Sequence, residues 1–220
     1  MENANYQKEL LNQNGLEMLS LSISQLEKAT EAFINHDADL AEEVIYTESH
    51  VNALDIKIEK DCERYIALFN PVAGDLRFVM AILKINIELE RIADHAYGIS
   101  KYVVEVDKKI STHLFKAFNF YKMHETVLAM LENITSAFEE KDVKAARKVF
   151  KKDKILDKIN ADSFAIVEEE LKKDASIASQ IILMFAVIKK FERVGDLIKN
   201  IAEEIIFYID AEVLKHKKKK

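Results

Sequence analysis

The sequence predicts an all-α protein built from a few long helices. Its 220 residues include only four glycines and one proline, the residues on which turns and short loops depend. Hydrophobic residues make up 49% of the chain and charged residues 32%, which provides apolar material for a core and charge for a solvated surface. This composition argues against a β-sandwich, a barrel or a doubly wound sheet, all of which need many turns.

Three helices are predicted in the first half. Apolar residues at spacings of three and four mark the first helix over residues 16–33. The second covers residues 38–69 and must end at Asn70 and Pro71, because proline disfavours helix in the residue before it. The third is expected to begin with Asp75 as its N-cap and to carry a heptad seam as far as residue 103.

Three more helices are predicted in the second half. Ser111 and Thr112 can cap a fourth helix that reaches residue 138, and Lys141 and Asp142 open a fifth. Residues 174–176 separate the fifth helix from a sixth, whose apolar seam covers residues 184–205. The predicted fold is therefore six long antiparallel helices.

The two halves read as copies of one unit. The third helix matches the sixth at an offset of 102 residues, so that residues 90–94 fall on residues 192–196. The second helix matches the fifth at an offset of 105. A unit of this length is too long for a solenoid repeat. We therefore predict two three-helix bundles, residues 1–110 and 111–214, followed by a basic tail at 215–220.

The charge distribution excludes some partners. The net charge is −6, and without the five lysines of residues 215–220 the remaining 27 basic residues face 38 acidic ones, a charge of −11. An acidic body is poorly suited to nucleic acid. No apolar segment is long enough to cross a membrane, the first residues are polar, and Cys62 can form no internal disulfide. We expect a cytoplasmic protein.

Pairs of carboxylates mark the candidate site in each half. Glu90 and Asp94 are four residues apart on the third helix, and Glu192 and Asp196 repeat this spacing on the sixth. Side chains four apart share a helix face, where two ionised carboxylates repel each other. A bound cation would reverse that repulsion, and carboxylate oxygens suit hard metal ions. These four residues are candidate metal ligands.

The preceding helix of each half carries a second polar stripe. Glu48 and Asn52 lie on the second helix, and Asp153 and Asp157 lie at the matching positions of the fifth. Because short connections make sequential helices antiparallel neighbours, the two stripes can face each other. Glu48, Asn52, Asp153 and Asp157 are therefore further candidate ligands, on the flank of each bundle rather than in its core.

Two other interpretations of these acids remain open. In the first, the carboxylates are ordinary solvated charge and the protein is a metal-free structural adaptor. In the second, the cluster serves a metal-dependent enzyme. The sequence has no Glu-x-x-His motif of a buried di-iron site, no glycine-rich phosphate loop and no evident nucleophile. We therefore predict a protein that is not an enzyme.

Three segments resemble the PhoU family. They are ERIADHA at 90–96, its echo ERVGD at 192–196, and Pro71 followed by DLR at 75–77. The resemblance covers nearly the whole chain, including its duplication. The sixth helix departs from it, since Leu197 and Ile198 replace the His-Ala that follows Asp94.

The resemblance implies two three-helix bundles, often paired as homodimers, with metal clusters of iron, zinc, manganese or magnesium on their surfaces. It places metal ligands at Glu90, Asp94, Glu192 and Asp196. It also implies a negative regulator of phosphate uptake and phosphate-starvation signalling, hence of phosphate homeostasis. The expected partners are the ATPase of the phosphate-specific transporter and a phosphate-sensing histidine kinase, so that contact with the membrane is only indirect.

Overall fold

The computed structural model describes residues 2–106 and 108–214. The predicted basic tail, residues 215–220, lies outside the described residues. The described chain contains seven α-helices, no β-strand and a 3₁₀ turn at Ala175–Ile177. The helices are α1 (Glu2–Asn35), α2 (Ala38–Phe69), α3 (Ala73–Glu105), α4 (Thr112–Ala117), α5 (Phe120–Glu140), α6 (Val143–Lys173) and α7 (Ala178–Asp210). The all-α prediction is confirmed.

Most helix ends lie where local sequence signals place them. The Asp37 side chain accepts a hydrogen bond from the Leu40 N–H at 3.0 Å and caps α2. Asp142 does the same for α6, accepting from the Lys144 N–H at 2.8 Å. Asn70 ends α2 in the left-handed conformation, directly before Pro71. A short polar side chain that satisfies a free N–H group is the reason that aspartate starts these helices.

The predicted fourth helix is broken in two. Asn119 adopts a left-handed backbone with φ 53° and separates α4 from α5. Phe118 and Phe120 are both fully buried on either side of it. In a continuous helix these side chains would point about 200° apart, and only one could face the core. The break at Asn119, a residue type that tolerates this conformation, allows both rings to be buried.

The predicted N-cap of α3 is wrong. The helix begins at Ala73, with Val72 at the cap position and no side-chain cap hydrogen bond. Asp75 instead lies in the first turn, where its carboxylate pairs with the Lys8 ammonium of α1. A negative charge at that place favours the positive end of the helix dipole without capping a particular N–H group.

The helices pack in two sets that meet along α3 and α7. α1, α2 and α3 contact one another, as do α5, α6 and α7, and α3 packs along α7. One continuous hydrophobic core runs through both sets. Among the described residues, no helix is both long enough and apolar enough to span a bilayer. The two acidic stripes of each half therefore lie on adjacent helices, α2 with α3 and α6 with α7.

Four aromatic rings tie the two sets together. Phe33 of α1 lies 5.7 Å from Phe115 of α4 and 5.8 Å from Phe120 of α5, measured between ring centroids. Phe120 also lies 5.2 Å from Phe191 of α7, and these three contacts are edge-to-face. Such pairs stabilise beyond their buried area. Phe120 thus connects elements from both halves of the chain.

We expect Phe120→Ala to lower the free energy of unfolding by about 3–5 kcal/mol, because it opens a cavity in this cluster. Urea denaturation followed by circular dichroism measures the change. Tyr46→Ala is the matched control, since Tyr46 is 84% exposed while Phe120 is fully buried. Equal losses in the two variants would contradict the assignment of Phe120 as the connecting residue.

Candidate metal centre

The first acidic cluster forms between α2 and α3. The Glu48 carboxyl on α2 adjoins the Asp94 carboxyl on α3, and both Asp94 and Glu90 lie close enough to raise the pKa of Glu48. The Asn52 amide donates to Glu48 Oε1 at 3.5 Å. The structure therefore brings together all four first-half residues that the sequence singled out.

This cluster holds more negative charge than it can keep ionised. The pKa of Glu48 is raised to about 7, first by burial, then by the hydrogen bond to Asp94 and by the charges of Asp94 and Glu90. Burial and the charge of Asp94 also raise the pKa of Glu90. A proton on one of two adjoining carboxyl groups relieves their repulsion. The same charge could be balanced by a bound cation instead.

The second acidic cluster, between α6 and α7, has a different centre. The Lys199 ammonium on α7 lies 3.0 Å from Asp153 Oδ2 on α6 and also forms an ion pair with Asp196. Asp157 is exposed and Glu192 is partly buried, with the pKa of Glu192 raised by burial and by Asp196. The second half thus places a positive side chain among its four predicted ligands.

The ion pair between Lys199 and Asp153 is largely buried. The Asp153 side chain is 10% exposed and that of Lys199 28%. Burial raises the pKa of Asp153, although the hydrogen bond and the charge of Lys199 oppose this shift. Burial would lower the pKa of Lys199, but hydrogen bonds to Asp196 and Asp153 outweigh it and raise that pKa. Each of the two groups therefore offsets the cost of burying the charge of the other.

Gly195 allows α7 to approach α6 at this point. A Cβ atom added to Gly195 would collide with Leu156 Cδ1, and it would lie 3.6 Å from Asp153 Oδ1. The equivalent position of the first half is Ala93. The missing side chain at Gly195 leaves room for the Leu156 side chain of α6.

The two clusters differ in their fit to a metal ion. Among residues 2–106 and 108–214, no group of three His, Cys, Asp or Glu side chains is arranged to hold a metal. In the first half two carboxyl groups already meet, with a third carboxylate and an amide oxygen nearby, and these are ligands for hard cations. In the second half the ammonium of Lys199 lies between the carboxylates. The two halves therefore differ in one respect that bears on cation binding, since an ammonium lies among the carboxylates of the second cluster and, within the described residues, none pairs with those of the first.

A groove continues the first cluster along the flank of α2 and α3. Its volume is about 260 Å³, and Asp55, Glu59, Leu83, Asn86, Ile87 and Glu90 line it. The Asn86 amide donates to Asp55 Oδ1 at 2.6 Å. Along α3, Val79 is fully buried while Ile87 is 50% exposed. This flank therefore places a half-exposed apolar side chain beside the acids of the groove.

His95 is neutral beside the first cluster. Its pKa is lowered to about 4 by burial and by the charges of Lys190 and Arg193 on α7, which outweigh the opposing effect of Asp94. An imidazole with this pKa carries no positive charge at neutral pH. His95 therefore adds no positive charge next to Glu48, Glu90 and Asp94, and the more distant Arg91 and Lys190 act on these acids electrostatically.

Lys199 is the residue that the sequence analysis missed. The repeat aligns it with Tyr97 at the offset of 102 residues. The first half therefore has a neutral tyrosine three residues after Asp94, whereas the second half has a lysine three residues after Asp196. The comparison of the two copies contains this signal, but only the packing of α6 on α7 shows which carboxylates it reaches.

We expect the metal-free protein to lose stability between about pH 4.5 and pH 7 through Glu48. Its folded pKa of about 7 lies above its usual 4.5, so the folded state binds the proton more tightly than the unfolded state does. The stabilisation is complete below pH 4.5 and is lost as the pH rises through 7. Solvent screening reduces the effect to the order of 1 kcal/mol.

Urea denaturation over this pH range, with chelator present, compares the wild type with Glu48→Gln. The variant should lose the part of the pH slope that the wild type shows. Glu42→Gln is the control, since Glu42 is exposed on the same helix. A slope that Glu48→Gln leaves unchanged would show that the proton is not held at Glu48.

Comparison with known proteins identifies the family to which this chain belongs. The PhoU domain model matches twice, over residues 16–103 and 120–205. Two relatives bear the name phosphate-specific transport system accessory protein PhoU. The protein from Edwardsiella tarda is 30% identical over 212 residues, covering 96% of this chain and 86% of its own. The Escherichia coli protein is 30% identical over 192 residues, covering 87% and 79%.

The fold agrees with a solved structure of the same family. The crystal structure of PhoU from Pseudomonas aeruginosa superposes with a TM-score of 0.89 at 26% sequence identity, covering 94% of this chain and 99% of that one. The resemblance drawn from the three sequence segments is confirmed. The chain belongs to the PhoU family, of which the named relatives are accessory proteins of a transport system and not enzymes.

Proposed function

We propose that this protein is the regulatory accessory protein of a phosphate-specific transport system. It lowers phosphate uptake and represses phosphate-starvation signalling when phosphate is plentiful. The observation that carries this proposal is the double PhoU match, over residues 16–103 and 120–205, together with relatives that align over most of their own length. We take residues 1–110 and 111–214 as its two functional halves.

The protein acts by binding and carries out no turnover. Its partners are the ATPase subunit of the transporter and a phosphate-sensing histidine kinase, which it meets in the cytoplasm as a homodimer. The flank of α2 and α3 supports a docking role, because exposed apolar residues alternate there with acids. Ile56 and Ile87 are 48% and 50% exposed, and Ile87 lines the same groove as Asp55 and Glu90. Partly apolar, acid-edged surfaces of this kind are typical of protein contact sites.

A metal ion at the first cluster would order this flank. Glu48, Asp94 and Glu90 would supply carboxylate oxygens and Asn52 an amide oxygen. Iron, manganese, magnesium and zinc are the candidate ions. The ion would relieve the repulsion between Glu48 and Asp94 and hold α2 against α3. Both helices border the groove, so metal occupancy would change the surface presented to a partner.

The enzyme alternative finds little support in the reactive groups. Cys62, the only thiol of the chain, is fully buried. Burial, followed by the charges of Asp61 and Glu59, raises its pKa to about 12. A thiol in this setting is not a nucleophile. A metal-free adaptor remains as an outcome of the metal experiment below.

The regulatory role is tested in a bacterium from which its own gene of this family has been deleted. We expect this chain to restore low phosphate uptake and low expression of a phosphate-starvation reporter in phosphate-rich medium. Uptake of labelled phosphate and reporter activity are the two measurements. A chain that is expressed and folded but leaves both at the level of the deletion strain would overturn the proposed function.

The metal role is tested with Glu48→Gln/Asp94→Asn. We expect this double variant to retain less metal than the wild type, because it removes the two carboxylates that meet at the first cluster. Elemental analysis after loading with each candidate ion and desalting measures the content, and circular dichroism checks that helicity is preserved.

Glu42→Gln/Glu63→Gln removes the same charge from exposed positions of α2 and should leave metal content unchanged. Equal retention by both double variants would remove the first cluster as the metal site. No retention by the wild type would make the protein a metal-free adaptor.

A further inference from the structure

The two halves place different residues at one equivalent position. Tyr97 follows Asp94 by three residues on α3, and Lys199 follows Asp196 by three residues on α7. Residues three apart lie on the same helix face. The difference between the halves is therefore a neutral phenol in the first and an ammonium in the second, each next to the paired acids.

Lys199 reaches the acids of both helices in the second half. Its ammonium bonds Asp153 Oδ2 on α6 at 3.0 Å and also bonds Asp196. Asp153 is the equivalent of Glu48 and Asp196 the equivalent of Asp94. Glu48 and Asp94 are the two carboxyl groups that adjoin each other in the first half. The ammonium thus lies where, in the first half, those two groups meet.

No ammonium or guanidinium has the corresponding contacts in the first half. Within residues 2–106 and 108–214, neither Glu48, Glu90 nor Asp94 forms an ion pair. Lys190 on α7 acts on Asp94 electrostatically, but its ammonium lies over the Tyr102 ring, 5.4 Å from the centroid. The first cluster therefore keeps a negative charge that the second has compensated.

We propose that Lys199 is the built-in cation of the second cluster and closes it to metal, so that metal binding is confined to the first half. Metal binding at the first cluster rests on the function proposed above, whereas the closure of the second cluster by Lys199 does not. An ammonium and a metal ion cannot share the centre, since metal–oxygen distances of about 2.0–2.6 Å need the space that Lys199 fills. Displacing the lysine would also leave its charge next to the ion.

The chain then has one half that responds to metal and one that does not. In the second half a side chain of the protein, Lys199, bridges the acids of α6 and α7. In the first half, within the described residues, no lysine or arginine forms the equivalent ion pairs between α2 and α3. The family resemblance predicts metal at Glu192 and Asp196 as well, and the facing stripe adds Asp153 and Asp157. This inference departs from those predictions at all four residues.

The test exchanges the two equivalent residues. Lys199→Tyr should open the second cluster and add metal to the amount that the wild type holds, and adding Asp196→Asn should remove that gain. Tyr97→Lys should close the first cluster and lower the metal content of the wild type. Lys148→Tyr is the control for a lost lysine next to the second half, since Lys148 is exposed on α6. Elemental analysis of the full-length protein loaded with manganese, zinc, ferrous iron or magnesium and then desalted gives the metal content.

A second readout covers loss of folding. Circular dichroism and thermal melting with and without the metal show whether each variant is folded, and added metal should raise the melting midpoint of Lys199→Tyr more than that of the wild type. If Lys199→Tyr does not fold even with metal, the inference is tested by the metal contents of two single variants of the wild type, Asp196→Asn and Asp94→Asn. The inference requires that only Asp94→Asn lowers the metal content.

The outcomes separate this inference from the function proposed above. Metal in Lys199→Tyr but none in the wild type would support the closure by Lys199 and refute the first-half site. Metal in the wild type that Asp196→Asn lowers would refute the closure and leave the metal role intact. A metal content that Lys199→Tyr does not raise would also refute the closure, whether or not the wild type binds metal.

Discussion

The packing of α3 against α7 is the constraint on which the rest of the structure depends. Each of these helices packs within its own set and also along the other, so each must bury two faces. Their interiors are correspondingly apolar, with Ile82, Leu89 and Ile99 on α3 and Phe191 and Ile198 on α7 fully or almost fully buried. Only one flank of each helix remains for charge, and that flank adjoins α2 or α6. The paired acids are found there in both halves.

Compensation of buried charge then decides how each flank behaves. A carboxylate that loses solvent must gain a proton, a cation or an ion-pair partner. In the second half the Lys199 ammonium lies between Asp153 and Asp196 and supplies this partner. In the first half burial and the neighbouring carboxyl groups raise the pKa of Glu48, and no ion pair of Glu48, Glu90 or Asp94 is present among the described residues. The duplicated backbone therefore carries two flanks that balance their charge differently.

Several features were predictable because they depend on neighbouring residues. Asp37 and Asp142 start helices, and Asn70 with Pro71 ends one, through hydrogen bonds or steric limits within a few residues. The break at Asn119 was not predictable in this way, since it is the burial of Phe118 and Phe120 in one core that requires it. Asp75 failed as a cap for a related reason, because its carboxylate is held by Lys8 from another helix.

The sequence by itself determined the all-α class, the duplication, the acid pairs at 90–94 and 192–196, and the facing stripes on the preceding helices. These follow from periodicity and spacing, which a single helix already expresses. Only the tertiary structure decided that Glu48 adjoins Asp94, that Leu156 of α6 packs against Gly195 of α7, and that Lys199 reaches Asp153. These properties depend on distances between helices and on the loss of solvent around charged groups. Both arise only when the helices pack, so no spacing along the chain encodes them directly.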